Sequence, residues 1–246
     1  MGASHGKQVL ILWRLRLVNR RAQRLFFQNE EDLGVFQSKG MLGDTPYTLL
    51  PGSGVNLQRF QASPLPQGGP FTFIMIARLV GDKGVREYAD ACRQLKADGL
   101  DVRCLLLGAL GVSNRTAISE QEVRQWQAEG VVEYPGAIDD VRPLIEQAHV
   151  LVLPSYREGM PRTVLEAAAM GRPAIVTDVP GCRHAIEPGV TGWLCEVRSA
   201  ESLAGVMRRV LGMDAAEVQR AGDAARGRME REFSEELVVG AYLECL

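Results

Sequence analysis

Long apolar runs, paired cysteines and abundant histidine are all missing from this chain of 246 residues. The best candidate for a membrane span, VLILWRLRLV, is too short to cross a bilayer, and Arg14 and Arg16 interrupt it, which also spoils it as the apolar segment of a signal peptide. Cys92, Cys104, Cys182, Cys195 and Cys245 stand apart with no CxxC spacing. Neither a zinc site nor a disulfide framework is indicated, and a reducing cytoplasm is the expected setting. Acidic residues are absent before Glu30, a stretch that carries Lys7, Arg14, Arg16, Arg20, Arg21 and Arg24. All 30 acids therefore fall in the remainder, whose acidic balance argues against a nucleic-acid binder with a basic stripe. Internal repeats, low-complexity tracts and any Asp-x-Asp motif are absent too.

What is present is a soluble composition, 46% apolar, of a length that suits one or two domains. From residue 71 onward the pattern alternates. FTFIMIA reads as a buried strand, GVREYADACRQLKADG as an amphipathic helix ending at Gly99, and DVRCLLLG as a second strand. A helix over AISEQEVRQWQAEG follows, with Ser119 and Glu122 at capping-box spacing, then the strand VVEYPG, the helix DDVRPLIEQA and the strand HVLVLPS. The helix PRTVLEAAAMG, stopped by Gly171 and Pro173, leads to the strand PAIVTD. Short apolar strands separated by helices predict an α/β fold with a parallel sheet covered on both faces. The tail from Ser199 to Leu246 shows no strand pattern and predicts two or three helices.

The first 50 residues do not share that rhythm. Ile11, Leu15, Val18, Ala22 and Leu25 form a helical stripe, LFFQN reads as a strand, EEDLGVFQSKG as a helix, and YTLLPGSGVN as a strand with a Gly-rich turn. Too little apolar surface is present for an independent domain. Residues 1–50 are therefore expected to be the end of another domain, with a connector at about residues 45–55, and residues 51–246 to be the main domain.

In a doubly wound sheet ligands sit beyond the carboxyl ends of the strands. The loops there carry charge: ARLVGDKG with Arg78 and Lys83, LPSYREGMP with Glu158, the following helix with Glu166, and TDVPGCRH. Gly159 allows close backbone approach, and the N–H groups around Met160, Arg162, Thr163 and Val164 are expected to be unpaired at a helix start, a geometry that binds phosphate. Arg78 and Lys83 would neutralise a diphosphate from the other side. Glu158 and Glu166 would repel phosphate and suit hydroxyls, which donate well to carboxylates. Two phosphates between two sets of hydroxyls describe a nucleotide sugar.

The segments GSGVN, ARLVGDKG, VEYPGAIDDV, LPSYREGMPRTVLEAAAMGRP and TDVPGCR, in that order and spacing, resemble the donor-binding half of retaining GT-B glycosyltransferases of family four. Enzymes of bacterial O-antigen, capsule and lipid-linked oligosaccharide assembly, including polyprenyl-diphosphate N-acetylgalactosaminyltransferases, are the nearest in kind, and RAQRLFFQN matches their preceding segment. The resemblance spans about residues 10–246. It implies a Rossmann-like parallel sheet as the C-terminal GT-B domain, a truncated remnant of a second Rossmann-like domain, and C-terminal helices.

By position it also implies that Glu166 accepts the ribose hydroxyls and that Glu158 with Gly159 and Met160 holds the transferred sugar. Arg78 and Lys83 would bind the diphosphate, while Pro135 and Gly136 would border the base. Thr163 and Val164 belong to the phosphate-facing turn, and Gly54 serves either phosphate contact or a tight connector turn. Glu158, Arg78 and Lys83 are the implied catalytic residues, with no cofactor and no metal. The implied donor is a UDP sugar, a UDP-hexosamine by preference, with GDP sugars as the second choice. The implied acceptor is lipid-linked or a polysaccharide. Transfer would retain configuration by front-face attack, with the leaving phosphate accepting the proton.

Three departures stand out. Asn56 replaces the usual Asp of the hinge motif, His184 replaces the Glu that commonly follows GCR, and nearly all of the acceptor domain is missing, as in a truncated enzyme. The alternative is a nucleotide-sugar binding fragment without transfer. The basic N-terminal helix suits either peripheral contact with the cytoplasmic membrane face or packing on the missing domain.

Overall fold

The computed structural model describes residues 14–50 and 52–244; Lys7, Ile11 and Cys245 fall outside them. The main unit is a six-stranded parallel sheet. Its strands are β3 (Phe71–Ile76), β4 (Val102–Leu107), β5 (Glu133–Gly136), β6 (Val150–Leu153), β7 (Ala174–Thr177) and β8 (Gly192–Cys195), in the order β5-β4-β3-β6-β7-β8. Strands β6 and β7 are buried along their whole length, as the uninterrupted runs VLVL and AIVT require in a sheet covered on both sides. The chain winds outward from β3 in one direction and returns through β6 in the other, so the strand order reverses between β3 and β6. A crevice opens at such a point beyond the carboxyl ends of the strands.

The covering helices follow from their sequences. Helix α3 (Val85–Ala97) buries Tyr88, Cys92 and Leu95 on one face. The predicted capping box of α4 (Glu120–Ala128) is present, Ser119 accepting from Glu122 N–H and Glu122 returning to Ser119. Helix α5 (Arg142–Glu146) starts later than expected, because Asp140 folds back to accept from Arg142. Helix α6 (Arg162–Ala169) stops at the expected glycine. Two elements escaped the sequence reading, α7 (Cys182–Ala185) and β8. Helix α7 is a single turn, and β8, GWLC, has none of the β-branched residues that mark VLVL and AIVT. The tail forms α8 (Ala200–Leu211), α9 (Ala215–Glu232) and α10 (Glu235–Leu243), the upper number predicted.

Ahead of this unit, helical residues 14–19 (α1) lead to β1 (Leu25–Phe27), α2 (Glu30–Ser38) and β2 (Tyr47–Leu49), the two strands pairing in parallel. The expected stripe through Ala22 and Leu25 is corrected: the helix ends at residue 19 and Leu25 opens a strand. Asn19 is the cause. Its side-chain amide donates to Met41 O and its carbonyl accepts from the Thr45 hydroxyl, so the chain is tied to the α2–β2 loop there and turns. Phe27, Leu33 and Leu42 make a small separate core.

Candidate donor-binding site

The loops after β3 and β6 meet at the strand-order reversal. Gly84 (φ 74°) ends the turn Gly81–Lys83, and a Cβ there would lie 2.1 Å from Pro154 O, so only glycine lets the two loops approach so closely. Tyr156 N–H donates to Asp82 O at 2.9 Å, and the Ser155 hydroxyl reaches the same carbonyl. On the other side Gly181 (φ 73°) packs where a Cβ would stand 2.4 Å from the carbonyls of Glu158 and Gly159. Three loops thus hold one another rigidly around residues 154–160.

Within this frame Lys83 Nζ and Glu158 Oε1 form an ion pair, both side chains largely shielded. The cation and the carboxylate that the sequence assigned to different parts of a ligand are here each other's partner. Arg78 is exposed, with no side-chain partner among the described residues. At the start of α6 the N–H groups of Arg162 and Thr163 have no acceptor among the described residues, whereas Val164 N–H donates to Pro161 O at 3.0 Å and its side chain is wholly buried. The expectation of an unpaired N–H at Val164 is therefore corrected: the first turn has already closed there.

Glu166 lies one turn into α6, largely buried, with Arg162 Nη2 at 3.7 Å. Burial pushes its carboxyl up, with Arg162 and Arg59 opposing. It lines a cavity of about 320 Å³ together with Gly54, Asn56, Arg59, Asp139 and Arg162. Gly54 is pressed against α10, where a Cβ would meet Glu235 Cα at 2.8 Å. Asn56 keeps what an aspartate would do, its Oδ1 accepting from the N–H groups of Gln58 and Arg59, and its Nδ2 adds a bond to Glu235 at 3.0 Å. Pro135 is exposed and Gly136 half-buried at the carboxyl end of β5, on the flank of this side of the sheet. Among the described residues no group of three or more His, Cys, Asp or Glu side chains is placed to hold a metal ion.

Gln28 and Asn29, unassigned from sequence alone, also reach this site. Asn29 Nδ2 donates to Gly159 O at 3.4 Å, and the Gln28 amide oxygen occupies the space beside Gly159 that a Cβ would enter. Met160 packs beside Gly52. His184 Nε2 lies 3.7 Å from Glu31, which accounts for a histidine at a position where another carboxylate would be repelled. Nothing local in the FFQN segment announces contact with a loop 130 residues away.

This arrangement is the GT-B architecture. Solved structures superpose on it over nearly the whole chain: sucrose-phosphate synthase from Thermosynechococcus elongatus (TM-score 0.79, 22% identity, 95% of this chain and 60% of that one) and Anabaena HepE in complex with UDP (TM-score 0.81, 19% identity, 96% and 68%). Residues 70–213 match the family described as glycosyl transferases group 1, and the chain belongs to that family. Among curated relatives, WcaL of Salmonella typhimurium, a glycosyltransferase named for colanic acid biosynthesis, is 31% identical over 75% of this chain and 47% of its own length. The N,N'-diacetylbacillosaminyl-diphospho-undecaprenol alpha-1,3-N-acetylgalactosaminyltransferase of Campylobacter jejuni is 26% identical over 91% of this chain and 60% of its own length. The chain spans about half the length of the curated relatives it matches.

Proposed function

We propose that residues 51–246 bind a nucleotide sugar, a UDP-hexosamine by preference, for retaining transfer to a lipid-linked or polysaccharide acceptor. Residues 1–50 are the end of an acceptor-binding domain and its connector. The observation that carries this reading is the convergence, at the strand-order reversal, of the Lys83–Glu158 pair with the two unpaired N–H groups of α6. A diphosphate supplies the acceptors those donors lack, with Lys83 and Arg78 offsetting its charge. Glu166, in its cavity with Asn56 and Arg59, takes the ribose hydroxyls, and Glu158 with the backbone of Gly159 and Met160 takes the sugar. Pro135 and Gly136 flank the base.

Chemistry follows from where charge develops. As the glycosidic bond lengthens, negative charge collects on the leaving diphosphate, and fixed cations and N–H dipoles at that place lower the barrier. The name of the Campylobacter relative supports a lipid-linked acceptor and an N-acetylated hexosamine donor. Exposed Arg14, Arg16, Arg20, Arg21 and Arg24 beside exposed Leu15, Leu17 and Val18 suit the cytoplasmic face of an anionic membrane. No described helix is long and apolar enough to cross one.

Calorimetry with UDP, GDP and uridine tests this reading. UDP is expected to bind in EDTA, and Lys83→Ala to weaken UDP far more than uridine. Strict dependence on magnesium, or equal losses for UDP and uridine, would overturn the assignment.

A further inference from the structure

Besides the bonds that Ser155 and Tyr156 N–H make to Asp82 O, two side-chain ties between charged or phenolic groups bind residues 154–160 to the start of α3. Glu158 pairs with Lys83, and Tyr156, two residues earlier, donates its hydroxyl to Glu87 Oε1 at 2.5 Å, one helical turn beyond Lys83. A diphosphate that draws Lys83 to itself loosens the first tie and leaves the second. The surroundings of Tyr156 carry two irregularities. Arg198 places its guanidinium 4.7 Å from the Tyr156 ring centroid, and it does so from a φ of 59°, the one left-handed residue other than glycine among those described. Glu87 Oε2 is buried without a hydrogen-bond partner among the described residues, against the rule that buried polar atoms are satisfied.

Neither feature is what anchors α3 or β8. Helix α3 is anchored by buried Tyr88, Cys92 and Leu95, and β8 by its pairing with β7. Unfavourable local geometry that persists around one ring indicates that the ring's placement matters. Burial first, and Glu87 second, push the Tyr156 phenol up to about 12, so it remains a proton donor to Glu87 at physiological pH.

We infer that Glu87, Tyr156 and Arg198 form a clamp that positions Glu158 towards the transferred sugar, governing the sugar end of the donor and leaving the nucleotide end alone. For its ligand the clamp rests on the proposed donor site; for its geometry it does not. These are positioning residues, since each acts through the loop that carries Glu158.

Two variants separate the clamp from general stability. Tyr156→Phe keeps the ring under Arg198 and removes the donor; Arg198→Gly removes the guanidinium where the backbone already suits glycine. The first readout is amide hydrogen exchange over residues 154–160 by mass spectrometry, without ligand. Exchange faster by about threefold or more in both variants, with the melting temperature held, is expected. Unchanged exchange in both overturns the clamp. The second readout is the affinity for UDP-N-acetylgalactosamine relative to UDP. Both variants are expected to lower that ratio by about three- to tenfold while UDP affinity stays constant. Glu87→Gln, which keeps an acceptor for Tyr156, should retain the ratio and Glu87→Ala should lose it. Equal losses for UDP and the UDP sugar would make the cluster merely structural and overturn the inference. A wild-type protein that binds neither nucleotide would sink the donor-site reading instead, and the clamp would then stand or fall on the exchange data.

Discussion

The two parallel sheets of this chain differ in what covers them. In the six-stranded sheet β6 and β7 are buried throughout and helices lie on both faces. In the two-stranded sheet β1 and β2 are three residues long, Tyr47 and Leu49 are exposed, and the core beneath is Phe27, Leu33 and Leu42. Parallel strands persist where both faces are buried. By that rule the large sheet is self-sufficient, whereas the small one leaves apolar side chains uncovered among the described residues. The distribution of exposed apolar side chains agrees. Leu15, Leu17, Val18, Val35, Tyr47 and Leu49 belong to the first unit, and Leu237, Val239, Tyr242 and Leu243 to α10, which reaches back to it through the Phe26–Tyr242 ring contact. Between them only Ile138, Val190 and Val197 are exposed among the large apolar residues described. Helix α10 therefore goes with the first unit in character, although it follows the second in sequence.

The largest effect that sharpens this contrast concerns Arg172. Its guanidinium is wholly buried and donates to the carbonyls of Ser63, Pro64, Ile145, Glu146 and Met170, joining the segment ahead of β3, α5 and the end of α6. Burial pulls its pKa down to about 10, so it stays charged. Arg172→Met leaves those carbonyls unpaired and should cost about 3–5 kcal/mol in denaturant unfolding. A loss below about 1 kcal/mol would mean that the large unit is not held from within.

Glu166→Gln should separate stability from function inside the large unit. Burial raises this carboxyl in the folded state, so folding favours its protonated form. That contribution is present below the unfolded pKa and is lost as pH rises through the folded one. At neutral pH the neutral glutamine should therefore leave unfolding unchanged or raise its midpoint slightly. Hydroxyl recognition runs the other way, since it needs the ionised acceptor. UDP binding should weaken by about 1.5–3 kcal/mol in the variant. In the wild type it should fall on acidification at a pH above the range of an ordinary glutamate. A variant that loses both stability and binding would recast Glu166 as a structural residue.

The same contrast explains what the sequence could disclose. The longer helices of the large unit were legible by period and caps, as with Ser119 and Glu122, and short strands such as β6 and β7 by apolar, β-branched runs between helices. Four-residue β8 and α7 were not, because their placement depends on β7 and the Gly181 turn. The stripe assigned to α1 overran because its end is set by Asn19 bonding Met41 and Thr45, partners more than 20 residues away. Charged loop residues were found through their position after strands, whereas Lys83 and Glu158 as a pair, and Tyr156 with Glu87, belong to the geometry between loops. Asn56 looked like a loss in the sequence and proves able to cap the turn as an aspartate would.

The smallest effect expected on unfolding tests the small unit itself. Leu17 and Val18 are 45% and 66% exposed on α1, whose buried side is represented by polar Asn19. A helix that turns its apolar residues to solvent and its amide inward has been positioned by hydrogen bonds and not by burial. Leu17→Glu combined with Val18→Glu should therefore change the unfolding free energy by less than about 0.5 kcal/mol. The same pair should reduce self-association in sedimentation velocity and adsorption to anionic vesicles, because each acid beside Arg14, Arg16 and Arg20 also removes net positive charge. A destabilisation above about 1 kcal/mol would show that these side chains are packed within the chain's own fold. The two sheets would then form one cooperative body, and the contrast between them would be lost.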